Sequence, residues 1–361
     1  MAQAAIGFFA GFGVYFSIPH FAVTGSSKNK STTLEKLAKI DYLGAITLTL
    51  SLVLFLYGLS GTIQLLPILL STVTLAAFVA TEYFHASDPI IPLSVLQSRG
   101  VLLSCLAQLG LMAARWTVLF YAPVFVLAVR GMSPAVSGSI LIPTNAGFGV
   151  GGLVVGWLHV KRAGSFWAAC LVSVAAFGVA IFGLSVVSTA AVGAGVYITV
   201  VFLNGFATGA ALNYTLAHML HLAEPEDHFI ATSLLTTFRG FAGSFGTAIG
   251  GGVFLRTLRS VLSEGYEKLD GEGLSKGRLQ LITKLIGSPA LVYGGDLSDA
   301  ERAVAVAGYE AALKVLYQCA AAVCLLVLVI QAGTGWTAPV SEEEEEDIEE
   351  EIAEADQRME A

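Results

Sequence analysis

The stretch SFWAACLVSVAAFGVAIFGLSVV, residues 165–187, holds no charged side chain. About 20 uninterrupted apolar residues are enough to cross the hydrocarbon core of a bilayer as one helix. Windows of the same kind recur outward from it, near 3–23, 41–60, 64–82, 101–129, 135–157, 191–217, 229–254 and 309–331. A membrane barrel would need short alternating segments of about 10 residues, whereas these runs are long and apolar on every face. The sequence therefore predicts an all-α, polytopic membrane helix bundle of about nine transmembrane helices.

Composition agrees, with 55% hydrophobic and 13% charged residues and a mean hydropathy of +0.74, values that exclude an ordinary water-soluble domain. The net charge of −8 comes largely from the acidic C-terminal tail, and no nucleic-acid partner is expected. Cys105, Cys170, Cys319 and Cys324 all lie within apolar runs and read as small core residues. Met1 to Phe21 lacks a basic leading segment and reads as a membrane helix, not a cleavable signal.

Basic residues set the expected orientation. Lys28, Lys30, Lys36 and Lys39 follow the first span, and Lys161 and Arg162 follow the fifth, while the opposite-side connections among these spans hold only Arg130. The lysine-rich side is expected to be cytoplasmic. Spacing divides the chain into a last helix of a preceding half at 1–23, a linker with an inserted helix pair at 24–100, and a six-helix set at 101–331. Within that set, 255–308 is expected as a long external or lumenal loop, and 332–361 as an acidic, disordered cytosolic tail. Six spans would hold two three-helix units of inverted topology.

Arg115 and Arg239 lie mid-way along apolar spans, where an unpaired charge costs at least about 2.5–3.5 kcal/mol on insertion scales. Each must face protein or water, either lining a substrate pathway or bonding the carbonyls of a neighbouring helix. Tyr121, Asn145, Asn204, Asn213 and Tyr214 are further polar candidates for the same pathway. Glycines four apart, Gly147 and Gly151, Gly152 and Gly156, Gly205 and Gly209, Gly246 and Gly250, put both members of a pair on one face where helices can approach closely. No aspartate or glutamate sits centrally in a span; Asp41, Glu82 and Glu310 are near ends. The polar run His218, His221, Glu224, Glu226, Asp227 and His228 has some metal-ligand character, but its reading is a short cytosolic turn. No metal, other cofactor or enzymatic activity is expected.

Four stretches resemble the fourteen-spanner drug:proton antiporters of the major facilitator superfamily, especially fungal members grouped with vacuolar basic amino acid permeases and multidrug exporters. Asp41-Tyr42-Leu43-Gly44-Ala45 is similar to the start of that family's inserted helix pair. Leu119 to Pro123, Val129 to Pro134, then Ser137-Gly138 resemble its seventh-to-eighth helix connection, with Ser133 as N-cap and Pro134 as first helical residue. Gly156-Trp157-Leu158, Lys161, Arg162 and Gly164 resemble a decayed copy of the gating-loop motif, without its acidic residue. Phe238-Arg239-Gly240, then Gly243, Gly246, Ala248 and Ile249, resemble the penultimate helix.

The resemblance aligns Met1 with the family's sixth helix, which implies that the first five helices and their carboxylates would lie outside this sequence. It further implies secondary active transport, antiport of basic amino acids or amphipathic drugs and toxins against protons, in a vacuolar or plasma membrane. The lipid bilayer, a small-molecule substrate and protons are the expected partners, and a missing N-terminal half or another chain is expected to cover the cavity face. The alternative is a transport-incompetent membrane protein that acts by binding a partner.

Overall fold

The computed structural model describes residues 41–84, 98–158 and 166–336, apart from Glu272 and Asp296, together with Phe8, Phe9, Gly11, Phe12, Gly13 and Phe16. The chain divides into two compact units, Met1–Asp41 and Tyr42–Ala361. In the first, every described residue before Asp41 is helical, and along one helix face the Phe8 ring stacks on Phe12 at 6.1 Å while Phe12 and Phe16 meet tilted at 4.8 Å. These residues fall in the span expected at 3–23. The linker, Lys161, Arg162, Gly164 and the acidic tail lie outside the described residues.

The second unit begins with a hairpin, α1 (Tyr42–Ser60) and α2 (Leu65–Phe84). Its turn is closed by the Gln64 amide donating to the Gly58 carbonyl, and mid-hairpin the Ser51 hydroxyl donates to the Ser71 carbonyl across 2.9 Å. Then come α3 (Arg99–Ala128), the short α4 (Pro134–Ser139), α5 (Leu141–Leu158), α6 (Trp167–Val187), α7 (Ala194–Leu222), α8 (His228–Asp270), α9 (Lys276–Gly287) and α10 (Asp299–Ala332). Among the described residues seven segments are long and apolar enough to span a membrane, α4 and α5 counting as one; α8, which covers the span expected at 229–254, is not among them, because its glycine, serine and threonine residues and Arg239 lower its apolarity. The bundle is all-α and polytopic, and the chain is an integral, multi-pass membrane protein.

Local chemistry explains the boundaries. Ser133 caps α4 by accepting from the Val136 amide, and Pro134 fills the first helical position, where its missing N–H costs nothing. Ser298 and Glu301 form a reciprocal capping box that starts α10. Gly271 ends α8 with φ of 70°, a left-handed conformation glycine adopts without penalty.

α5 packs on α7, α3 on α8, α6 on both α7 and α10, and α3 on α10. Exchanging the set α3, α5, α6 for α7, α8, α10 converts the α5–α7 contact into α8–α3 and α6–α7 into α10–α3, and leaves α6–α10 unchanged. The added α8–α10 contact has no counterpart.

Two expectations are corrected. At 1.5 Å per residue, the 43 residues of α8 reach about 65 Å, twice the roughly 30 Å hydrocarbon core. The expected loop 255–308 is therefore mostly helix: the far half of α8, α9, a 3-10 turn at Pro289–Tyr293 and the first turns of α10. Leu258, Leu262 and Tyr266 repeat every fourth residue and bury one face of α8 against Ile282, Leu285, Val292 and Tyr309, continuous with the main core. Second, His218 and His221 belong to the last turns of α7 and not to a polar turn, which begins only at Ala223.

Candidate functional site

Glycine decides where α5 and α7 meet. A methyl group on Gly147 or Gly151 would overlap the backbone carbonyls of Phe202 or Phe206, and one on Gly205 or Gly209 those of Thr144 or Phe148. The two glycine pairs face each other, so the backbones themselves are in contact. Gly246 brings α8 onto the Ala113 carbonyl of α3 in the same way, and Gly250 meets the Thr117 side chain. Gly152 faces the Asn213 amide, while Gly156 faces open space.

Arg115 lies beside the α5–α7 seam and is buried. Its guanidinium donates to the Thr144 hydroxyl, to Asn204 Oδ1 at 3.1 Å, to the Thr144 carbonyl at 3.3 Å and to Asn145 Oδ1 at 3.4 Å. The charge is thus distributed over four neutral acceptors on two helices, without a carboxylate within ion-pair distance among the described residues. Asn204 is fully buried, and its Nδ2 has no hydrogen-bond partner.

Arg239 is arranged differently. It is half-buried on α8, and its Nε donates to Gln108 Oε1 of α3 at 3.1 Å and its Nη2 to the Leu212 carbonyl of α7 at 3.3 Å. Nη1 makes no hydrogen bond among the described residues. Two hydrogen bonds hold the group in place, and one end of the fork remains open.

The other expected pathway residues separate. Tyr121 is buried with its ring 4.6 Å from Phe254. Asn213 donates to the Gly209 carbonyl of its own helix at 2.9 Å, and Tyr214 lies half-buried, its ring 6.4 Å from Phe166. Asn145 and Asn204 meet at Arg115, whereas Asn213, Tyr214 and Tyr121 join neither arginine. The histidines are each spent locally: His218 Nε2 on Thr334 Oγ1, His221 Nδ1 on the Ala217 carbonyl and His228 Nε2 on the Ala223 carbonyl. Among the described residues no group of three or more His, Cys, Asp and Glu could hold a metal.

Sequence reading missed Thr144 and Gln108, the partners that define the two arginines; a polar residue inside a long apolar run was the available signal for both. It also missed an exposed stripe along α8, formed by Ser233, Thr236, Thr237, Gly240 and Ser244 at helical spacing. Its threonine hydroxyls bond their own helix, Thr236 to the Thr232 carbonyl and Thr237 to the Ser233 carbonyl. The outer faces of α6 and α10 differ sharply, exposing Val172, Val179, Phe182, Leu325, Leu326 and Val329.

Two-thirds of the way along α8, Arg256 donates to the Leu59 carbonyl at 3.2 Å and the Gly61 carbonyl at 2.6 Å, capping the end of α1. Phe55 and Phe245 pair at 5.9 Å, and Phe78 of α2 enters a buried cluster with Cys105, Met219 and Leu235. The hairpin is thereby fixed to α8 at both ends.

No family model matches the chain. It is 25% identical over 242 residues to the MFS transporter L2 of Phoma sp., covering 63% of this chain and 40% of that protein. Against multidrug resistance protein 3 of Bacillus subtilis it is 28% identical over 255 residues, 67% and 48% of the two chains. Against the MFS-type transporter clz4 of Cochliobolus lunatus it is 25% identical over 336 residues, 88% and 56%. Its relatives are transporters. The chain spans about half the length of these curated relatives. Two of these names describe transport and one multidrug resistance, and the all-α membrane bundle suits a transporter.

Proposed function

We propose that this chain forms one wall of a major facilitator drug exporter, a secondary transporter that moves amphipathic small molecules in exchange for protons. The observation that carries the reading is Arg239, a charge at the twelfth residue of α8 within the span expected at 229–254, held by Gln108 and the Leu212 carbonyl but with part of its guanidinium open. A buried arginine such as Arg115, with both terminal nitrogens engaged by its neighbours, can serve packing alone; a half-buried one with a terminal nitrogen unengaged is retained at a cost that a ligand or water must offset.

Three features support the assignment. The interchangeable pairing of α3, α5, α6 with α7, α8, α10 is what two inverted three-helix units produce, and such units place the substrate site near the bilayer midplane. The polar stripe on α8 calls for cover by water or protein. Two of the relatives are named as MFS transporters and one for multidrug resistance. Because the described pathway residues present positive charge and no carboxylate, neutral or anionic amphipathic compounds suit this wall better than basic amino acids. The proton-coupling carboxylate then belongs on a facing wall, supplied by another part of the same protein or by another chain. A plasma or vacuolar membrane is the proposed compartment.

The test is export of an amphipathic fluorescent dye from sealed vesicles carrying the chain together with its facing half. The reading expects efflux that collapses on adding a protonophore, is lost in Arg239→Ala, and leaves membrane abundance near normal. The chain without a facing wall should not transport. The alternative, a membrane protein that works by binding a partner, expects no dye movement in either setting.

A further inference from the structure

At the end of the bundle that carries α9, an apolar groove of about 450 Å³ runs between the end of α3, α4, the start of α5 and the start of α7. Phe125, Val126, Ile140 and Ile198 form its wall, and Val136 and Ile142 border it with 49% and 69% of their surface exposed. Arg130 stands at its mouth, two residues past the last residue of α3. Its guanidinium bonds the Ala190 carbonyl at 3.1 Å and the Val192 carbonyl, and lies 5.5 Å from the centre of the Phe125 ring. Its Nε is buried and has no hydrogen-bond partner.

All its protein partners are neutral, so the positive charge is uncompensated by any ion pair among the described residues. The nearby carboxylate of Glu310 is engaged by the Ala190 amide instead. A fixed cation just beyond the end of a membrane span sits at the depth of lipid phosphates, and basic pockets between membrane helices recognise phosphate headgroups. The groove below it is apolar and bordered by exposed aliphatic side chains, so a hydrocarbon chain enters it sideways from the bilayer.

We propose that this groove is a binding site for one phospholipid, its phosphate on the Arg130 guanidinium and one acyl chain lying against Val126, Val136 and Ile140. The site is separate from Arg239 and requires only that the chain be inserted in a membrane. The bound lipid would brace the junction of α3, α4 and the α6–α7 connection, which Arg130 already ties together.

Native mass spectrometry of the full chain, stripped of endogenous lipid and then mixed with dioleoylphosphatidylglycerol, reads the site directly. A single retained adduct is expected, falling about tenfold in Arg130→Gln. It should fall likewise in Val136→Trp, which fills the groove while keeping the arginine, and stay unchanged in Arg302→Gln, which removes a charge elsewhere. Dioleoylglycerol, which lacks the phosphate, should not be retained. Equal adducts in wild type and both groove variants would overturn the proposal, as would equal retention of dioleoylglycerol. Displacement of the adduct by glycerol phosphate at equal concentration would also overturn it, because the site would then be one for a soluble anion.

Discussion

The seam between α5 and α7 and the open face of α8 are built from the same residue types, glycine, hydroxyl residues and an arginine, to opposite ends. In the seam, Gly147, Gly151, Gly205 and Gly209 remove every side chain from the contact, and Arg115 gives its donors to four acceptors beside it. On α8, Gly240 and four hydroxyl residues remain exposed, and Arg239 keeps one nitrogen unengaged. An arginine within an apolar run is thus no marker of a pathway by itself; Arg115 is buried with both terminal nitrogens engaged, whereas Arg239 is half-buried with its terminal Nη1 free of hydrogen bonds among the described residues.

The largest expected effect lies in the seam. Gly205→Ala sets a methyl group into the Thr144 carbonyl, and neither backbone can retreat without breaking the other glycine contacts. Overpacking of this kind costs typically about 1–3 kcal/mol and here should reach the upper end. The check is a lowered melting temperature of the purified chain and reduced membrane abundance. Gly156→Ala, which meets nothing, is the matched control.

Arg115→Leu comes next. It removes a buried charge, which favours the variant, but leaves the amides of Asn145 and Asn204 and the Thr144 hydroxyl short of a donor, at about 1–3 kcal/mol for an orphaned buried group. A net loss of stability is expected, smaller than that of Gly205→Ala, with any loss of transport proportional to lost protein.

Arg239→Gln should separate the two quantities. Gln108 and the Leu212 carbonyl can re-pair with the amide or with water, so the melting temperature should move little, within about 1 kcal/mol of stability. Transport per molecule should fall by at least about tenfold if the open nitrogen contacts substrate or water in the pathway. A fall in transport that merely tracks protein abundance would place Arg239 with Arg115.

The smallest effect belongs to the extramembrane helices. Arg278 donates to both carboxylate oxygens of Asp270 at 2.8 Å, and these bonds hold the Asp270 carboxyl below its ordinary range; the same guanidinium also pairs with Glu301. A depressed carboxylate stabilises the fold above the unfolded aspartate value of about 3.9 and ceases to do so as pH falls through its lower folded value. Asp270→Asn should therefore lower the melting temperature slightly at pH 7, and the difference from wild type should vanish in strong acid. Both partners are surface-accessible, so added salt should shrink the difference as well.

Much of this architecture was legible because membrane helices are specified by long apolar runs, and α1, α2, α3 and α6 begin and end within two residues of the expected spans. The cap over 255–308 was missed for a physical reason: its helices satisfy an aqueous rule, one buried face at every fourth residue, and a hydropathy window averages that face with its polar opposite. Leu258, Leu262 and Tyr266, with the Ser298–Glu301 capping box, carried the signal. The arginines were legible as anomalies, but not their difference. Gln108 and Thr144 lie 131 and 29 residues from the arginines they bond, a pairing that only the packed bundle creates.

The most direct test of the central claim is cysteine accessibility in sealed membranes, on a background in which the four native cysteines are replaced. If the α8 face lines a water-open path, Thr237→Cys and Ser244→Cys should react with a charged, membrane-impermeant maleimide, while Val179→Cys on the exposed apolar face of α6 should not. Labelling of none of the three, with all three proteins folded and inserted, would show that the α8 stripe meets lipid or tightly packed protein and would contradict the account.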